Sequence, residues 1–240
     1  MKLHVESAGS GPEHVAFVHG LGNDATVWEE LLGIADATGR YTLTAVDLRG
    51  HGRSARAPGY SLEEFADDLV DTLPRGLHAV VSHSLGGAVV ARAVGRLGPR
   101  RAVYLDPGFK LALPDRGLGG FLVRRARWTI PLFAAAQSRG IRTPALTPER
   151  REVERTAQTR WDRRMALAVL QDVGTHPFAV VRQTAESTVI LSGDARYVVP
   201  DPLPSQLEAA GWRVVREDSL GHAMFLENPE LTWRLIESAL

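Results

Sequence analysis

The chain has 240 residues, with 28 Lys and Arg balanced by 28 Asp and Glu, 44% hydrophobic residues and no cysteine. Zero net charge argues against a general nucleic-acid binder, and no apolar stretch approaches the length of a membrane span. The missing thiols exclude disulfides, thiolate metal sites and a cysteine nucleophile together. The first twenty residues, MKLHVESAGSGPEHVAFVHG, lack a basic segment followed by an apolar run and a cleavage site. No secretory signal is therefore expected, and a cytoplasmic location is the default.

Short β-branched runs alternate with amphipathic segments, the pattern of parallel strands joined by helices. In chain order, HVAFVHG reads as a buried strand ending at His19-Gly20, followed by the helical DATVWEELLGIADATG. YTLTAVDLRG is a second strand, and SLEEFADDLVDTL a helix with Ser61 as N-cap and Glu64 completing a capping box. HAVVSHS runs directly into the helical GGAVVARAVGRLG, and RAVYLDP forms the next strand. From 108 to 187 no strong strand is present. GGFLVRRARWTIPLFAAAQ is helical but interrupted by Pro131. TPERREVERTAQTRWDRRMALAVLQD opens well, with Thr147 as N-cap, Pro148 at the first helical position and Glu149 in the first turn. Its stripe of Val153, Ala157, Trp161, Met165 and Val169 predicts one buried face, and HPFAVVRQTA predicts a short third helix. STVILSG, LPSQLEAAG, WRVVRED and PELTWRLIESAL then resume the alternation of strand and helix. One α/β domain is expected, with residues 1–107 and 188–240 as its core and 108–187 as a helical cap. Residues 107–187 carry fourteen basic and seven acidic residues, predicting a salt-bridged, solvated surface on an acidic body or a field for anionic substrates.

The junction HAVVSHSLGGAVV places Ser84 between an apolar strand and an Ala/Val-rich helix. A serine hydroxyl attacks only when a base removes its proton and donors stabilise the resulting oxyanion. A sharp strand–serine–helix turn exposes the oxygen and aims new helix N–H groups at the reacting centre, provided the residues two before and two after are small. Here they are Ser82 and Gly86, the former departing from the usual glycine.

Three further motifs stand in order around this turn: FVHGLG, VDLRGHGRS and, near the C-terminus, LGHAMFLENPE. Together with the serine turn they resemble the α/β-hydrolase superfamily, over nearly the whole chain except 108–187, which match only as a variable cap. The resemblance implies an α/β-hydrolase fold: a mostly parallel sheet flanked by helices, with an inserted helical cap. It implies that His222 is the general base, that the backbone N–H groups of Leu21 and Leu85 form the oxyanion hole, and that no metal or organic cofactor is required. His83 must point away from the serine on such a turn and is expected to be structural, as are His19 and His51 in their Gly-rich motifs. Asp47 and Arg49 are expected to pair within their loop.

The acid partner of His222 remains open between two positions. Many relatives carry it in a G-x-x-D pattern after the cap, but LSGDARYVVP has Arg196 there and Asp194 directly after Gly193. Other branches place it before the cap, where VYLDPG offers Asp106, biased toward extended backbone by Pro107. The expected activity is hydrolysis of a small carboxylic ester or lactone through an acyl-enzyme on Ser84. A carbon–carbon bond hydrolase, an acyltransferase, a cofactor-free lyase or oxygenase, or a non-catalytic small-molecule binder are the alternatives. No nucleic-acid or membrane partner is expected, and the oligomeric state is not legible. Phe109, Phe121, Trp128, Phe133, Trp161 and Met165 are candidates for an apolar acyl pocket or for the core beneath the cap. Arg124, Arg125 and Arg127 are candidates for an anionic substrate group or a solvated face.

Overall fold

In the computed structural model, residues 1–111, 118, 125, 129, 145–176 and 178–240 are described. The six β-branched runs form strands: β2 (Glu13–Val18), β3 (Tyr41–Val46), β4 (Ala79–His83), β5 (Arg101–Leu105), β6 (Glu186–Ser192) and β7 (Arg213–Glu217). A seventh, β1 (Val5–Ala8), was not expected. It has four residues, two of them polar, so no apolar run marks it. It pairs antiparallel with β3 at the sheet edge, Val5 opposite Val46. The order is β1-β3-β2-β4-β5-β6-β7, with all other pairs parallel.

Central strands are covered on both faces, which explains their uninterrupted apolar sequence. Val15, Phe17, Val81 and Val103 point to one side, beneath α1 (Glu29–Asp36) and α8 (Pro229–Glu237). Ala16, Val18, Val80 and Tyr104 point to the other, beneath α2 (Leu62–Thr72) and α3 (Leu85–Leu97). From β2 the chain passes to β3 on one side and then crosses to β4 on the other. The crevice between the carboxyl ends of β2 and β4 is therefore the topological switch point, where open α/β sheets bind ligands. Both FVHGLG and Ser84 end there.

Local start signals are obeyed. Ser61 and Glu64 form the reciprocal capping box of α2, and Thr147 accepts from the Arg150 N–H at the start of α4 (Pro148–Ala157). The long helix predicted onward from Thr147 is two helices instead, because α4 ends at Ala157 and α5 (Met165–Thr175) begins afresh. Between them the Asp162 N–H donates to the Gly50 carbonyl at 2.8 Å, and the Asp162 carboxylate accepts the Arg164 N–H at 3.1 Å. That side-chain turn breaks one helix and leads into the next. Met165, Val169 and Val173 then bury as one stripe. The third helix predicted at HPFAVVRQTA does not form. Residues 178–183 have no regular secondary structure, and the segment is held by the Phe178 N–H on the Phe109 carbonyl at 2.9 Å and by stacked Phe109 and Phe178 rings. The helical pattern around Pro131 lies outside the described residues. Downstream, α6 (Leu203–Ala209) precedes β7, and the short α7 (Met224–Glu227) precedes α8.

Two arginines of this segment dock on acidic groups of the body. Arg150 forks onto Glu30 at 2.7 and 2.6 Å, and Arg160 lies 2.9 Å from the buried Asp24. Among the described residues no helix is long and apolar enough to cross a membrane.

Candidate active site

Ser84 sits between β4 and α3 with φ 49° and ψ −116°, a left-handed, strained conformation for a side-chain-bearing residue. Two tight contacts explain the small neighbours. A Cβ on Gly86 would lie 2.5 Å from the Val18 carbonyl oxygen, and one on Gly20 would lie 3.1 Å from Ser84 Cβ. Ser82 is tolerated because its hydroxyl donates to the Val103 carbonyl at 3.3 Å across to β5. The turn is tied by the Ser84 N–H on the Leu105 carbonyl at 3.1 Å and the Gly108 N–H on the Ser84 carbonyl at 2.7 Å.

His222 lies on the loop after β7, half-buried, and its Nδ1 is 3.1 Å from Oδ2 of Asp106. Asp106 is completely buried. Oδ1 accepts the Ser192 N–H at 2.8 Å, and Oδ2 accepts the Ser192 hydroxyl. The extended backbone expected from Pro107 is not adopted, since Asp106 has φ +39°. Aspartate tolerates this region better than most residues, and the bonds from Ser192, together with the Asp106 N–H on the Ile190 carbonyl at 3.0 Å, hold it there. Asp194 occupies a different place. Its N–H donates to Ser192 Oγ at 3.1 Å, and its carboxylate lies 3.2 Å from where a Cβ on Gly221 would begin.

His83 links the serine turn to the base. Its Nε2–H donates to the His222 carbonyl at 2.9 Å, with the two ring centroids 4.6 Å apart. Burial pushes its pKa well below the ordinary histidine range, so the ring is neutral. Nδ1 then carries a lone pair, 2.8 Å from the position a Gly20 Cβ would take. Among the described residues the Ser84 hydroxyl itself makes no hydrogen bond, and the His83 ring joins the serine turn to the main chain of His222.

The N–H groups of Leu21 and Leu85 find no acceptor among the described residues. Leu85 opens α3, whose first N–H groups have no intrahelical partner. The Leu21 loop is framed by two buried histidines, as their structural expectation required. His19 donates from Nδ1 to the Gly20 carbonyl at 2.8 Å and accepts the Leu48 N–H at 3.0 Å. His51 donates from Nδ1 to the Arg49 carbonyl at 3.0 Å and accepts the Gly22 N–H at 3.2 Å. Desolvation lowers His19 to about 4 and His51 to about 3, keeping both neutral.

The model for the alpha/beta hydrolase family matches residues 15–235. The chain belongs to that family. Along nearly its whole length the hydrolase is 29% identical to a pimeloyl-[acyl-carrier protein] methyl ester esterase from Methylococcus capsulatus, covering 98% of this chain and 97% of the relative. Solved structures share the fold. A lipase-esterase related protein from Clostridium acetobutylicum matches with TM-score 0.76 at 16% identity, covering all of both chains. A putative aryl esterase from Burkholderia cenocepacia matches with TM-score 0.75 at 23% identity, covering 98% of this chain and 93% of that one.

One sequence expectation about this hydrolase needs correcting. Asp47 does not pair with Arg49. Asp47 accepts the N–H groups of Ala25 and Arg53 at 2.7 and 2.8 Å, while Arg49 reaches across to Asp68 on α2 at 2.6 Å. Of the candidate pocket residues, three are described. Phe109 and Met165 are core residues, and Trp161 stacks on His51 with centroids 5.9 Å apart. Phe121, Trp128, Phe133, Arg124 and Arg127 lie outside the described residues, and Arg125 is exposed. Sequence reasoning missed Ser192, which is simply the last residue of a strand; only the neighbouring carboxylate gives its hydroxyl meaning.

Proposed function

We propose that the hydrolase cleaves small carboxylic esters or lactones through an acyl-enzyme on Ser84, with His222 as general base and Asp106 as its acid partner. The observation that carries this reading is the buried Asp106 carboxylate on His222 Nδ1 at 3.1 Å. A proton held on Nδ1 leaves the lone pair on Nε2, the atom a general base must present. Ser84 attacks the carbonyl carbon, and its proton passes to Nε2. The negative oxygen of the tetrahedral intermediate is met by the N–H groups of Leu21 and Leu85. Collapse expels the alcohol, which takes the proton from His222. A water activated by the same imidazole then releases the acid and restores Ser84. Residues 108–187 act as the cap over this site, on a core of 1–107 and 188–240. The methyl ester esterase among the relatives supports an ester over a carbon–carbon bond as substrate.

The test is labelling with a fluorophosphonate, followed by turnover of p-nitrophenyl esters of rising chain length, methyl esters and lactones. Wild type is labelled on Ser84, and Ser84→Ala and His222→Ala each lose at least about 10⁴-fold in kcat. An unlabelled, correctly folded wild-type protein would sink the reading.

A further inference from the structure

A main-chain donor is useful only if its peptide plane is fixed before reaction, and Leu21 lies between two glycines. Gly22 has φ +79°, a conformation that by itself supplies no rigidity. The two peptide planes flanking the Leu21 Cα are nevertheless held from outside. In the first, the Gly20 carbonyl accepts from His19 Nδ1 at 2.8 Å and from the Asn23 N–H at 3.2 Å. Because a trans peptide points its N–H opposite its carbonyl, this bond aims the Leu21 N–H. In the second, the Gly22 N–H donates to His51 Nε2 at 3.2 Å.

His51 in turn is pinned by the inserted segment. Trp161 lies parallel to the imidazole, with centroids 5.9 Å apart and an interplanar angle of 8°. The two residues also pair as an isolated antiparallel bridge. The indole additionally covers the loop itself, since a Cβ on Gly22 would stand 3.5 Å from Trp161 Cε2. Next door, Asp162 fastens the segment through its N–H on the Gly50 carbonyl at 2.8 Å and through the Tyr60 hydroxyl on its carboxylate at 2.9 Å.

We propose that His51 is a positioning residue for the Leu21 N–H and that Trp161 holds it in place, so that the inserted segment takes part in stabilising the transition state. The proposal rests on the reading of Ser84 as nucleophile and Leu21 as oxyanion donor. A loosened His51 leaves the ground-state ester bound as before, because the developing oxyanion is the species that needs the aligned donor. Loss therefore falls on kcat and not on KM.

The experiment compares Trp161→Leu, Trp161→Phe, His51→Leu and His51→Gln with wild type. It uses the best ester substrate and a trifluoromethyl ketone, whose adduct on serine places an oxyanion in the same hole. Trp161→Leu and His51→Leu lose about 10-fold or more in kcat, keep KM within about twofold, and weaken the ketone in proportion to the loss in kcat/KM. Trp161→Phe keeps a flat ring and His51→Gln keeps an acceptor for the Gly22 N–H, so both stay within about threefold of wild type. The proposal is overturned if Trp161→Leu raises KM at constant kcat, which is the behaviour of a pocket wall. It is also overturned if ketone affinity does not follow kcat/KM, or if His51→Gln behaves like His51→Leu. The glutamine and phenylalanine variants, with melting temperatures, decide the matter should a leucine variant not fold. Fluorophosphonate labelling of the wild type separates the two levels. An unlabelled Ser84 brings down the reading of the site, whereas a labelled Ser84 with unmoved variants brings down this link alone.

Discussion

Ser192 closes over Asp106 from the adjacent strand, giving that carboxylate both its main-chain N–H and its hydroxyl. The carboxylate is thereby oriented by one residue and left with Oδ2 toward His222 at 3.1 Å.

The two candidate acids are therefore not equivalent. Asp106→Asn presents an amide in place of the buried acceptor and disturbs the tautomer and orientation of His222. We expect kcat to fall by about 10³- to 10⁴-fold. Asp194→Asn, whose carboxylate borders Gly221, stays within about 10-fold of wild type. Ser192→Ala keeps the N–H and loses the hydroxyl, at a cost of about 1–3 kcal/mol in stability or in activation free energy. Steady-state kinetics of the three variants on one ester checks the set, and equal small effects of both Asp changes refute the assignment.

His83 allows a similar separation of ring from donor. Phenylalanine keeps the packing against Phe225, whose ring lies 4.8 Å away, but leaves the His222 carbonyl without its donor. Glutamine restores an N–H at the reach of Nε2. His83→Phe should lower kcat about 10-fold and His83→Gln less than about threefold, in line with roughly 1–1.5 kcal/mol for the bond. Equal losses in both variants would assign the effect to packing.

Acid stability tests the buried histidines of the serine-facing loop. His19 falls from 6.5 to about 4 on folding, so between these values the unfolded chain binds a proton that the native one refuses. Stability is fully present above pH 6.5 and declines as pH drops toward 4, by about 3 kcal/mol for this residue. Thermal melts between pH 4 and 8 should show the decline in wild type. His19→Gln, having no proton to take up, should show a shallower one.

Much of this fold was legible because its signals are local. Strand runs such as VAFV and the capping residues Ser61 and Thr147 act within a few positions of themselves, and the elbow at Ser84 is announced by its neighbours. Asp106 was legible as a carboxylate at a strand end, but its left-handed backbone was not. Pro107 speaks only for the local preference, and the bonds from Ser192 and Ile190 come from the next strand. The stripe through Trp161 reads as continuous helix because period alone cannot register the turn at Asp162. That turn is held in place partly by the hydrogen bond to Gly50, more than a hundred residues away in sequence. β1 escaped notice for the opposite reason. An exposed four-residue edge strand needs little apolar side-chain character, since β3 supplies its partner.

The pairing of Phe109 with Phe178 has an evolutionary consequence. Where the excursion departs and where it returns are already clasped, ring on ring and N–H on carbonyl. With the two ends held together, a flexible insertion between them would cost little in loop closure, about 0.6 kcal/mol for each doubling of its length. Length can thus vary within the stretch while the docked Trp161 and Asp106, three residues before the clasp, keep their stations.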